Sequence, residues 1–131
     1  MPRILVIEDN ALNMKHFVLL LRNAYHTVLC AADAETGVPL ARTGQPDLIV
    51  MDMQLPGMDG LRATDLLKKD PATSAIPVIA VTARIMKNDR HEAIAAGCDA
   101  YIAKPYRRLK LYQVIDTLLL KRGSQANVTE S

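Results

Sequence analysis

Short apolar runs alternate with longer amphipathic stretches along the whole chain. Ile4–Ile7, Val28–Ala31, Leu48–Met51, Val78–Val81 and Tyr101–Ala103 read as strands. Their nearly continuous hydrophobicity is that of strands buried on both faces, as in a parallel sheet. Between them lie helical patterns. Asn10–Ala24 carries Leu12, Phe17, Leu20 and Leu21 near helical spacing, with Asn10 as cap. Ala34–Arg42 follows Asp33, a second cap candidate, and ends before Gly44; Leu61–Lys69 ends before Pro71. Lys87–Ala96 stops at Gly97, a residue type suited to closing a helix, and Arg108–Lys121 shows Leu111, Val114, Ile115, Leu118 and Leu119 as its buried stripe.

Five strand–helix units in strict alternation predict an α/β fold: a five-stranded parallel sheet, right-handed crossovers and helices on both faces, the (βα)5 flavodoxin-like arrangement. Residues 1–122 are expected to form one domain. Gly123–Ser131 is polar without an apolar stripe and is expected to be a frayed tail.

Composition changes this picture little. The chain has 131 residues, 50% hydrophobic and 23% charged, with a net charge of +2. That balance suits a cytoplasmic globular domain and gives no global pull toward nucleic acid or an anionic membrane. No apolar run reaches membrane-spanning length, and the start of the chain reads as a strand, not a signal peptide. Cys30 and Cys98 have no partner at metal spacing and are expected to be buried, reduced thiols.

Open parallel sheets bind ligands beyond the carboxyl ends of their strands. Glu8 and Asp9 follow the first strand, Asp52 the third, Thr82 the fourth, and Lys104 with Pro105 the fifth. Taken singly, each has an ordinary explanation: a turn aspartate, a packed threonine, a solvated lysine. Together they put three carboxylates, a hydroxyl and an ammonium on one edge. Three carboxylates repel one another, and a hard cation such as Mg²⁺ resolves the conflict. Glu8, directly or through a water, Asp9, Asp52 and a backbone carbonyl, expected to be that of Met53, are the candidate ligands. Lys104 and Thr82 then suit the oxygens of a phosphoryl group, and Asp52, in mid-sheet, is the candidate nucleophile.

At this point the sequence resembles the receiver domain of bacterial response regulators, the CheY-like fold of two-component systems. The matching stretches are Ile4-Leu5-Val6-Ile7-Glu8-Asp9-Asn10, Asp47 to Gly60 around Asp52, Ile76-Pro77-Val78-Ile79-Ala80-Val81-Thr82-Ala83, and Gly97 to Pro105. The resemblance spans roughly residues 3–122. Glu8-Asp9-Asn10-Ala11-Leu12-Asn13-Met14-Lys15 also resembles single-domain regulators of the DivK kind, which govern cell-cycle kinases in some bacteria.

The resemblance implies that Asp52 takes phosphate from a histidine kinase or a His-phosphotransfer protein. It implies a commonly cis Lys104–Pro105 peptide and a switch pairing Thr82 with Tyr101. It also implies a readout face of the fourth helix, fifth strand and fifth helix, with Tyr106, Arg107 and Arg108 at its edge, that meets a downstream protein. Gln54 and Arg84 flank the water route to Asp52 and are expected to tune hydrolysis of the acyl phosphate. His16, His26 and His91 are poor phospho-donor candidates.

The expected action is phosphoryl transfer to and from the chain itself, not turnover as an enzyme. Within these residues no DNA-binding pattern follows the domain. Three alternatives have distinct marks. A pseudo-receiver binding module would lack a site residue, and none is lacking. A haloacid dehalogenase-like phosphohydrolase needs a DxD after the first strand. A flavodoxin-like electron carrier needs a phosphate loop where Asp9-Asn10-Ala11-Leu12 stands.

Overall fold

A computed structural model describes residues 1–83 and 89–130, the side chains of 89 and 123–130 excepted. In chain order the elements are β1 Arg3–Ile7, α1 Ala11–Asn23, β2 Thr27–Ala31, α2 Ala34–Gly44, β3 Leu48–Asp52, α3 Gly60–Lys69, β4 Val78–Thr82, α4 Asp89–Ala96, β5 Ala100–Ala103 and α5 Arg108–Glu130. The five strands form one parallel sheet in the order β2-β1-β3-β4-β5.

The alternation of side chains along each strand divides the core in two. On one face Leu5, Ile7, Ile49, Met51, Val78 and Ala80 pack against Ala34 and Ala41 of α2, Ala63 and Leu67 of α3, and Ala93 of α4. On the other, Ile4, Val6, Leu48, Val50, Ile79 and Val81 pack against Phe17, Leu20 and Leu21 of α1 and Leu111 and Ile115 of α5. Each large side chain so buried contributes about 1.5–3 kcal/mol.

The helix starts follow the sequence. The Asn10 side chain accepts the Asn13 N–H at 3.0 Å, and Asp33 accepts that of Thr36 at 2.7 Å. At the end of α4 the N–H groups of Gly97 and Cys98 close back on the carbonyls of Ile94 and Ala93.

Several expectations change in the structure. β2 is not buried on both faces: Thr27 and Cys30 are exposed, because β2 is the edge strand beyond β1. Cys30 is therefore an exposed thiol, whereas Cys98 is buried with its Sγ 3.7 Å from Thr64 Oγ1. Leu12 lies off the buried stripe and is 78% exposed, five residues and so about 140° around the helix from Phe17. α2 does not end before Gly44 but runs through it, and Gln45 beyond it takes the left-handed conformation. α5 runs on as backbone helix to Glu130, past residue 122. Arg122 anchors it to the α2–β3 loop by donating to the carbonyls of Pro46, at 3.2 Å, and Asp47, at 2.8 Å.

Candidate functional site

The strand order reverses between β1 and β3: the chain steps outward to β2 on one side and to β4 and β5 on the other. A crevice opens at such a point. Glu8 and Asp9 lie at the carboxyl end of β1, and Asp52 is the last residue of β3 beside it. One oxygen from each of the three carboxylates lies within 4.8 Å of the others. Glu8 is 1% exposed and Asp52 8%, whereas Asp9 faces solvent.

Thr82 ends β4 and is buried. Lys104 directly follows β5, the Lys104–Pro105 peptide after it is cis, and its N–H donates to the Thr82 carbonyl at 2.7 Å. Its side chain reaches back across the sheet edge: Nζ donates to Glu8 Oε1 at 3.2 Å and lies 3.8 Å from Asp52 Oδ2. The ammonium thus sits against the acids.

Burial pushes the Glu8 carboxyl up to about 7, helped by the neighbouring Asp52, while the Asn13 side chain and Lys104 pull it down. Its Oε2 is buried with no hydrogen-bond partner among the described residues. A buried carboxylate with an oxygen lacking a donor, grouped with two further carboxylates, is what a hard cation satisfies. The donor set is all oxygen, and the residues fit Mg²⁺. Among the described residues the Met53 carbonyl accepts a single long bond, from the Gly60 N–H at 3.4 Å, and keeps a lone pair for such an ion.

Gln54 contributes through its backbone. Its N–H donates to Asp52 Oδ1 at 2.9 Å, while its side chain is exposed. Tyr101 is half-buried and shares with Thr82 and Gln54 the wall of a cleft of about 590 Å³, which Asp9, Asp59 and Glu92 also line. Arg84 lies outside the described residues. Tyr106 borders a groove with Tyr101, Arg107 and Lys110, but its ring also stacks on Phe17 of α1, centroids 5.8 Å apart, and burial raises its hydroxyl pKa. His16 is an exposed residue on the rim of a second groove that includes Lys104 and Tyr106.

Sequence reasoning missed Asn13 and Glu92. Each is a polar residue on a helix, and no local pattern separates one that turns to the site from one that turns to water.

Gly60 permits the close return of α3 onto the acceptor strand. A Cβ there would lie 2.6 Å from Met53 Cε and 2.8 Å from both Met53 Cα and the Asp52 carbonyl oxygen. Backbone atoms cannot yield as a side chain can. Gly60→Ala is expected to lower stability by about 2 kcal/mol in urea unfolding; an unchanged midpoint would show that the loop moves freely.

Comparison with known proteins agrees with this geometry. Residues 4–116 match the response regulator receiver domain. The chain is 41% identical over 120 residues to the polar-differentiation response regulator DivK of Brucella anthropi, covering 91% of this chain and 98% of that protein. It superposes on the receiver domain of the sensor histidine kinase PA1611 from Pseudomonas aeruginosa with a TM-score of 0.84 and 32% identity, over 90% of this chain and 97% of that one. That structure has a magnesium ion coordinated in its active-site cleft. The fold alone is shared with the chemotaxis protein CheY4 of Vibrio cholerae, at a TM-score of 0.84 and 20% identity over 90% and 98% of the two chains.

Proposed function

We propose that this chain, which belongs to the response-regulator receiver family of two-component signalling, accepts a phosphoryl group on Asp52 and signals through the contacts this changes. The observation that carries the reading is the position of Asp52: mid-sheet, between the buried acid of β1 and the lysine that follows β5.

In the proposed reaction an Asp52 oxygen attacks the phosphorus of a phosphorylated histidine. The P–N bond breaks, and the imidazole leaves with the bonding pair. Lys104 and Thr82 stabilise charge on the transferred oxygens, and the Gln54 N–H holds the other Asp52 oxygen in place. Mg²⁺, held by Glu8, Asp9, Asp52 and the Met53 carbonyl, supplies charge neutralisation when bound. Hydrolysis reverses the bond: water attacks the phosphorus, and Asp52 leaves as a carboxylate with inorganic phosphate released. Gln54, beside the acceptor, sets how readily that water enters. The chain is its own substrate in both steps and is not an enzyme acting on a separate one.

The donor in this reading is a cytoplasmic histidine kinase domain or His-phosphotransfer protein. The response is a shift of Thr82 and Tyr101, read by a protein at α4, β5 and α5. The similarity to DivK makes cell-cycle control or a phosphorelay the favoured setting. No helix among the described residues is long and apolar enough to cross a membrane.

Intact mass after incubation with acetyl phosphate tests the reading. A Mg²⁺-dependent gain of one phosphoryl group is expected. No gain, together with no binding of beryllofluoride, would leave a binding module without the chemistry.

A further inference from the structure

Glu35 stands in the first turn of α2, two residues after its cap Asp33. Its side chain is exposed, and an acid here favours the helix N-terminus by itself. It does more than that. Oε1 accepts the N–H of Met58 at 2.7 Å, 23 positions away in the loop between β3 and α3. This is a short, charge-assisted bond. The two segments approach so closely that a Cβ on Gly57, whose φ is +70°, would lie 2.9 Å from the same oxygen.

The loop held in this way is the one that leaves the acceptor. It begins with Met53, the candidate carbonyl ligand, and Gln54, whose N–H bonds Asp52, and it ends at Asp59, which caps α3 by accepting the Arg62 N–H at 2.8 Å. The bonds at Gln54, Gly60 and Asp59 are all made within the β3–α3 unit. Two bonds tie the loop to other elements: at its start the Met53 N–H donates to the Val81 carbonyl of β4 at 3.0 Å, and farther along Met58 is held by Glu35 of α2.

We propose that Glu35 is a positioning residue for the acceptor site: its carboxylate clamps the β3–α3 loop so that the Met53 carbonyl and the Gln54 amide keep their places over Asp52. The proposal rests on the reading of Asp52 above. Released from α2, the loop keeps its tie to β4 at Met53 but loses its hold at Met58, and a ligand set loosened at its support binds its cation less well.

Wild type, Glu35→Gln and Glu35→Ala of the full chain would be compared by NMR. Three readouts are needed: exchange protection of the Met58 amide, Mg²⁺ titration followed at the Gln54 amide, and phosphoryl lifetime after acetyl phosphate. Glu35→Ala is expected to lose the Met58 protection and weaken Mg²⁺ binding about threefold to tenfold, with a change of similar size in lifetime. Glu35→Gln, which keeps an acceptor oxygen, is expected to recover most of both. A Glu35→Ala protein with an unprotected Met58 amide but wild-type Mg²⁺ affinity and lifetime overturns the clamp alone. Equal losses in Glu35→Gln and Glu35→Ala also overturn it, since charge and not the bond would then matter. A wild type that takes neither Mg²⁺ nor phosphoryl group overturns the acceptor reading, and the clamp with it.

Discussion

Asp52→Asn is expected to acquire no phosphoryl group from acetyl phosphate, a slowing of at least about 10³-fold, while remaining folded. The amide has nearly the shape of the carboxylate. It keeps an oxygen to accept the Gln54 N–H, which Asp52 Oδ1 accepts at 2.9 Å. What it loses is the anionic oxygen that would attack phosphorus. Stability should not fall with activity, because the Asp52 charge lies beside Glu8 and is among the causes that push the Glu8 carboxyl up to about 7, after burial itself. Removing it relieves a like-charge contact. Without Mg²⁺ the variant is therefore expected to unfold at the same or a higher urea concentration than wild type. The pair of results matters: a folded protein with no adduct isolates the chemistry. Retention of the adduct at the wild-type rate would move the acceptor to another group and end the present reading.

Lys104→Ala is expected to slow phosphoryl uptake about 10²–10³-fold and, unlike Asp52→Asn, to cost stability in a pH-dependent way. Lys104 Nζ lies 3.2 Å from Glu8 Oε1 and 3.8 Å from Asp52 Oδ2, and the Glu8 side chain is 0% exposed. Breaking a buried ion pair leaves an uncompensated charge and costs about 3–5 kcal/mol. Two features reduce that here. The lysine is 18% exposed, so water already screens the pair, and Glu8 can take a proton instead of standing bare. A deficit of about 2 kcal/mol at pH 8 is expected.

The sign follows from proton binding. The folded carboxyl of Glu8 titrates near 7 against an ordinary 4.5. Between those values the native state holds more protons than the unfolded one, so the contribution of this group is full below 4.5 and lost as pH rises through 7. Without Lys104 the upper limit moves higher still. The deficit relative to wild type should therefore be small near pH 5 and grow toward pH 8. Urea unfolding at both values without Mg²⁺ checks it, and an equal deficit at pH 5 and pH 8 would mean that Lys104 acts by packing rather than by charge.

Much of this was legible in the sequence because it is local. Apolar runs and turn residues mark strands and helices. A cap such as Asn10 or Asp33 acts three residues away, on Asn13 and Thr36. Strict alternation with parallel crossovers then leaves few topologies, and every strand of a parallel sheet ends on the same edge. Glu8, Asp9, Asp52, Thr82 and Lys104 could thus be brought together from their places at strand ends alone, and the structure does bring them to that edge.

Position within the sheet, and direction from it, were decided only in three dimensions. Val28–Ala31 is as apolar as an inner strand, yet β2 is an edge, and Cys30 is exposed, with no strand among the described residues pairing beyond it. Tyr106 reads as a surface residue beside two arginines, but its ring stacks on Phe17 from the other end of the chain. Lys104 was placed at its strand end by the sequence, but that its side chain bonds Glu8, 96 positions away, was not. Glu35 carries no mark in its helix that it will hold Met58. Periodicity records which residues prefer burial, since that preference belongs to each side chain and its near neighbours. Which distant group answers a given charge depends on how packed elements meet, and only the folded chain contains that.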